Sequence, residues 1–131
     1  WLEELPWTFE IKLDNQCIAG FHASPWSFLE EYIYPDYPYF DRFESLPWDY
    51  VLLGHTHYPL IKKVGRVTII NPGSCGQPRQ GNYRANAAIL DSLTGNVKFL
   101  NLDYDIQKFL ADAQKQRVHP EVIQKLSSSI K

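Results

Sequence analysis

The run Val51-Leu52-Leu53-Gly54-His55-Thr56-His57 decides the reading of this chain: three apolar residues, a glycine, and two histidines one residue apart. A short apolar run bounded by a turn signal has the pattern of a buried strand. In extended backbone, residues i and i+2 point to the same side. His55 and His57 are therefore expected to aim both imidazoles at one point just past the strand's end. Neutral imidazole is the commonest metal ligand among side chains. Two of the four histidines lie in this turn, and a third, His22, ends another apolar run, Cys17-Ile18-Ala19-Gly20-Phe21. The plain alternative is a surface H-x-H beside a turn. Against it stand the glycine, the buried-type strand leading in, and the second strand ending at His22. Three imidazoles delivered from strand ends predict a metal site. His119 precedes Pro120 in a polar tail and reads as a solvated loop residue.

Outward from these strands, Thr8-Phe9-Glu10-Ile11-Lys12-Leu13 alternates with period two, which predicts a strand with one buried face. Asp14-Asn15 turns the chain into a more central partner strand, Gln16 to Phe21. Ser24-Pro25 looks like a helix start, Ser as cap and Pro at the first helical position, so a helix is expected over about 26–33. A short helix is expected around 39–45. The strand into the histidine turn is followed by a hairpin, Leu60 to Val64 and Arg66 to Ile70, then the turn Asn71-Pro72-Gly73-Ser74. Another hairpin joins Arg84–Leu90 to Val97–Leu102, and Ile106, Phe109, Leu110 and Ala113 have helical spacing. The opening Trp1 to Pro6 reads as the end of a helix. These elements predict an α/β fold: a mixed sheet with hairpins, flanked by helices.

A length of 131 residues suits a single domain spanning 1–131, and 44% hydrophobic and 15% aromatic residues predict a packed core. The net charge of −2 argues for neither a nucleic-acid nor a membrane partner. Cys17 and Cys75 lack a framework of spacings and read as reduced thiols of a cytoplasmic protein. The chain holds no methionine and begins at Trp1. It is therefore expected to be a piece of a longer polypeptide.

The Gly54-His55-Thr56-His57 turn, the upstream His22-Ala23-Ser24-Pro25 and the later Asn71-Pro72-Gly73-Ser74 with Gly76-Gln77-Pro78-Arg79 resemble the calcineurin-like metallophosphoesterases. Within that family, the likeness is to the small bacterial and archaeal phosphodiesterase-type subgroup. The resemblance implies the C-terminal half of a four-layer α/β/β/α sandwich whose strand-end loops hold two divalent ions. It implies that His22 and His55 ligate one ion and His57 the other, and that the substrate is a phosphoester. The family's D-x-H, G-D and G-N-H motifs, which supply the bridging carboxylate, an asparagine ligand and an acid–base histidine, are not in this sequence. The resemblance thus implies a missing N-terminal half as partner. Ala23 stands where the subgroup usually has glycine, and removes no ligand.

Histidine ligands favour Mn, Fe, Ni or Zn over Mg or Ca. Two such ions together can activate water and neutralise phosphoryl oxygens. Of the 15 acidic residues none lies in a motif that replaces the missing aspartate, and Asp49 reads as a cap or turn residue. Asn71 to Ser74 reads as a turn rather than a substrate contact, and Arg79 as a solvated loop arginine rather than a phosphate contact. Trp26, Tyr32, Tyr34, Tyr37, Tyr39 and Phe40 read first as packing and loop-ordering residues. Two other readings compete: a non-catalytic binding or scaffold chain with a vestigial site, and a mononuclear three-histidine site. A lone half would leave a sheet edge and an apolar face uncovered, which predicts homo-oligomers through exposed strands.

Overall fold

The computed structural model describes residues 1–128. Strands β1 (Thr8–Leu13) and β2 (Gln16–Phe21) form an antiparallel hairpin. Its two-residue loop, Asp14-Asn15, has φ of 50° and 65°, the left-handed pair that matches strand twist and that Asp and Asn tolerate. β3 (Tyr50–Leu52) pairs parallel with β2 on one side and with β5 (Val67–Asn71) on the other. β4 (Leu60–Val64) closes the second hairpin against β5, giving a five-stranded mixed sheet of order β1-β2-β3-β5-β4. β6 (Ala85–Leu90) and β7 (Val97–Leu102) make a separate two-stranded sheet, and α1 (Ile106–Lys115) and α2 (Pro120–Ser128) follow. Asp105 caps α1 by accepting from the Lys108 amide at 2.9 Å.

The sheet buries its two faces differently. Val51, Leu53, Leu60, Val67 and Ile69 pack against Ile33, Phe40 and Phe43 from the long connection after β2. On the other face Ile18, Tyr50 and Ile70 meet Leu90 and Val97 of the β6–β7 hairpin. That second cover is partial: an apolar groove of about 480 Å³, lined by Trp7, Phe9, Gly20, Leu52, Ile70 and Leu90 among others, remains open and reaches His22. A third cluster, Ile106, Leu110 and Leu126, joins the two helices to Tyr83 and Tyr104.

Several expectations change. The expected 26–33 helix does not form. Ser24 Oγ does accept from the amides of Trp26 (3.2 Å) and Ser27 (3.0 Å), as a cap would. The chain then turns back, Ala23 N donating to Phe28 O, and Ile33 is drawn into the core at 1% exposure. Burial of Ile33 and the Glu31 hydrogen bonds described below override the weak helical preference of this aromatic segment. The expected 39–45 helix is one short 3₁₀ turn, Phe40–Phe43, and the opening is a 3₁₀ turn over Leu2–Glu4. β1 does not have a buried face: Phe9, Ile11 and Leu13 are 44–50% exposed. Asp49 acts as a turn residue, its Oδ2 accepting from the Cys17 amide at 2.8 Å. Both cysteines are free thiols. Among the described residues no helix is long and apolar enough to cross a membrane.

Candidate metal centre

Because β2 and β3 run parallel in register, Gly20 beside Leu52, their carboxyl ends coincide at one edge of the sheet. Loops at the carboxyl ends of parallel strands are where α/β folds gather ligands. His22 leaves β2 there and His55 leaves β3 three residues beyond Leu52. The Gly54 amide donates to the His22 carbonyl at 2.9 Å, tying the two exits together, and a Cβ on residue 54 would stand 3.3 Å from that carbonyl. His22 Nε2 and His55 Nδ1 lie 3.0 Å apart, with ring centroids 4.9 Å apart.

The histidine turn is not the extended segment its spacing predicts. His55 and His57 both adopt left-handed backbone, φ 59° and 60°, and Thr56 N donates to Gly54 O at 2.6 Å. Non-glycine residues occupy this region rarely, though histidine does so more than most, and such strain clusters at functional sites. Buried Asn71 holds the turn in place: its Nδ2 donates to Gly54 O and Thr56 Oγ1, and its Oδ1 accepts from Gly73 N at 2.9 Å. The expected Asn71-to-Ser74 turn thus also braces the histidine loop.

His57 is oriented separately. Its Nδ1 lies 2.9 Å from the Gln77 carbonyl, which can only accept, so Nδ1 carries a proton and Nε2 is the nitrogen left to meet a ligand. The Gln77 amide in turn donates to Ser74 Oγ at 2.9 Å. The structure therefore brings His22 and His55 together and directs His57 by another loop. Among the described residues, no group of three or more His, Cys, Asp or Glu side chains converges as a complete metal cage would.

Two observations bear on whether the His22–His55 pair fits an ion. Metal–nitrogen bonds of about 2.1 Å at a near-right angle set two ligand nitrogens about 3 Å apart, the separation seen here. A direct histidine–histidine hydrogen bond gives the same distance. Burial lowers the His55 pKa from its ordinary value, and the neighbouring His22, His57 and Arg79 charges lower it further, against a smaller upward pull from the Glu30 backbone. That direction favours the neutral ring, the form that ligates metal. The residues present fit a divalent ion.

An aromatic and polar loop walls this edge. The Tyr32 ring lies 4.1 Å from that of His55, with Tyr34 stacked on Tyr32 at 5.8 Å. The loop is fixed by Glu31, which sequence reasoning did not single out. Its carboxylate accepts from Ser24 Oγ, Tyr37 OH (2.6 Å) and Arg42 Nη1 (3.0 Å), and Arg42 lies 3.9 Å over the Trp26 ring. Trp26, Phe40 and Phe43 form the packed side of the same loop. Exposed Arg79 acts on His55 through its charge, and exposed His119 accepts from the Glu121 amide far along the chain.

Residues 1–95 match the calcineurin-like phosphoesterase superfamily domain. The chain is 29% identical over 133 residues to an uncharacterized protein of Methanocaldococcus jannaschii, covering 89% of this chain and 54% of that protein. It is similar to the crystal structure of a metallophosphoesterase from Sphaerobacter thermophilus, with a TM-score of 0.83 and 27% identity over 98% of this chain and 60% of that one. An archaeal phosphodiesterase structure is similar with a TM-score of 0.54 and 25% identity, over 73% of this chain and 51% of that one. The chain thus spans between half and three-fifths of the length of these proteins.

Proposed function

The chain belongs to the calcineurin-like phosphoesterase superfamily, and on that premise we propose that His22, His55 and His57 are its contribution to a dinuclear centre that hydrolyses a phosphoester. The observation that carries the proposal is the 3.0 Å approach of His22 Nε2 and His55 Nδ1 at the ends of adjacent parallel strands. In this reading His22 and His55 share one ion and His57 serves the other. Bound there, divalent ions of the Mn, Fe, Ni or Zn type would supply Lewis acidity, activating water and neutralising phosphoryl oxygens.

The work of this chain's own residues is to hold and orient. The Gln77 carbonyl fixes the His57 tautomer and leaves Nε2 free to ligate. Asn71 keeps the Gly54-to-His57 turn in its left-handed form. Tyr32 and Tyr34 shield one side of His55. No acidic side chain joins the histidines among the described residues, so the bridging carboxylate would come from outside them. Little or no turnover is expected from this chain alone. Likeness to an archaeal phosphodiesterase favours a diester substrate over a monoester.

Thermal unfolding with and without Mn²⁺ or Zn²⁺ tests this reading against a scaffold with a vestigial site. A ligand that binds only the folded chain raises its melting temperature with concentration. A rise that disappears in His55→Ala is expected. No effect of any divalent ion would favour the scaffold. Phosphodiester turnover by the purified chain, lost in His57→Ala, would overturn the view that the centre is completed from elsewhere.

A further inference from the structure

We propose that β1 pairs antiparallel with β1 of a second copy of this chain, about a two-fold axis through Ile11, joining two five-stranded sheets into one of ten strands. β1 is an edge strand, bonded to β2 on one side only. Its register with β2 is unbroken from Thr8 to Leu13, without proline, bulge or positive φ, so nothing blunts the free edge. The row of backbone N–H and C=O groups along that edge is a template for another strand.

The charges select both the occupant and the register. With Ile11 opposite its own copy, Glu10 stands opposite the partner's Lys12, and Lys12 opposite the partner's Glu10. Phe9 stands opposite the partner's Leu13 on the other face. Sliding the axis to Glu10 or to Lys12 sets like charges directly opposite, which disfavours those pairings. An axis between two residues would set the apolar face of one copy against the polar face of the other. The Ile11 register matches Glu10 with Lys12 and Phe9 with Leu13, each twice by symmetry as an isologous contact requires, and it overlaps more of β1 than an axis at Phe9 or Leu13 would.

Exposure agrees with this choice. Phe9, Ile11 and Leu13 are 44%, 50% and 48% exposed, and among the described residues Glu10 and Lys12 form no ion pair. The opposite edge is built the other way. β4 carries Lys62 and Lys63 in succession with no acidic residue between Leu60 and Val64, a pattern that repels its own copy.

Sedimentation or light scattering on the whole chain, with charge-reversal variants, tests the pairing. The wild type is expected at twice the 15.2 kDa chain mass. Lys12→Glu alone and Glu10→Lys alone each place like charges across the axis and are expected to give monomer. The double variant Glu10→Lys with Lys12→Glu restores opposite charges and is expected to return to dimer. That recovery also shows that the single variants did not fail merely by misfolding. A monomeric wild type, a dimer that survives both single reversals, or a double variant that stays monomeric overturns the proposal.

Discussion

The side-chain amide of Asn71 donates to the backbone carbonyl of Gly54 at 2.6 Å, spanning the end of β5 and the exit of β3. The same nitrogen lies 3.1 Å from Thr56 Oγ1, and Asn71 has no exposed surface. Asn71→Ala strips these partners from a buried carbonyl and hydroxyl. It should cost about 2–3 kcal/mol in urea unfolding, the price of leaving such groups unpaired. A change within about 0.5 kcal/mol, the range of ordinary surface substitutions, would show that the turn does not depend on Asn71. Metal affinity should fall about tenfold or more, as for other residues that orient ligands.

Gly73 makes the following turn possible. Its φ is +88°, and a Cβ there would stand 2.9 Å from both Asn86 Cβ and Pro59 Cγ. Left-handed backbone alone costs an L-residue about 1–2 kcal/mol, and this contact adds to it. Gly73→Ala should therefore lower the melting temperature by several degrees. An unchanged melting temperature would contradict the packing described here.

Glu31 should give the fold a distinctive acid limb. Burial pushes its carboxyl pKa up, but hydrogen bonds from Ser24, Tyr37 and Arg42, with the Arg42 charge, outweigh that and hold it below the ordinary 4.5. The folded value lies below the unfolded one, so the unfolded chain binds more protons as the solution is acidified. The contribution to stability is complete above 4.5 and is lost as pH falls through the lowered folded value. Glu31→Gln should be less stable than wild type in neutral urea unfolding, with the difference narrowing in acid. An equal difference at both pH values would mean that the carboxylate charge contributes nothing.

The sheet was legible in the sequence because its strands announce themselves locally. Alternation marks β1, a β-branched run marks β5, and Asp14-Asn15 marks the turn between the first two strands. The approach of His22 and His55 at neighbouring strand ends was legible, whereas the orientation of His57 was not. The spacing of His55 and His57 in an extended strand would have aimed both rings together, whereas two left-handed residues aim His55 at His22 and leave His57 to Gln77. Nothing in an H-x-H pattern reveals φ; a buried asparagine 14 residues after His57 imposes it through contacts distant in sequence. The loop after His22 departs from its local signal for a similar reason. Ser24-Pro25 is a sound helix start locally, and only the burial of Ile33 and the hydrogen bonds to Glu31 show why the helix does not continue. The exposure of β1 could not be seen from alternation, which marks which face is apolar but not whether anything covers it.

Whether His22 and His55 share one ion is decided by elemental analysis. The metal-free chain would be loaded with Mn²⁺ or Zn²⁺, desalted and assayed for bound metal, alongside His22→Ala, His55→Ala and His57→Ala. One retained ion per chain is expected, lost equally in His22→Ala and His55→Ala and kept in His57→Ala. No retained ion, or one that survives the loss of either His22 or His55, would contradict it.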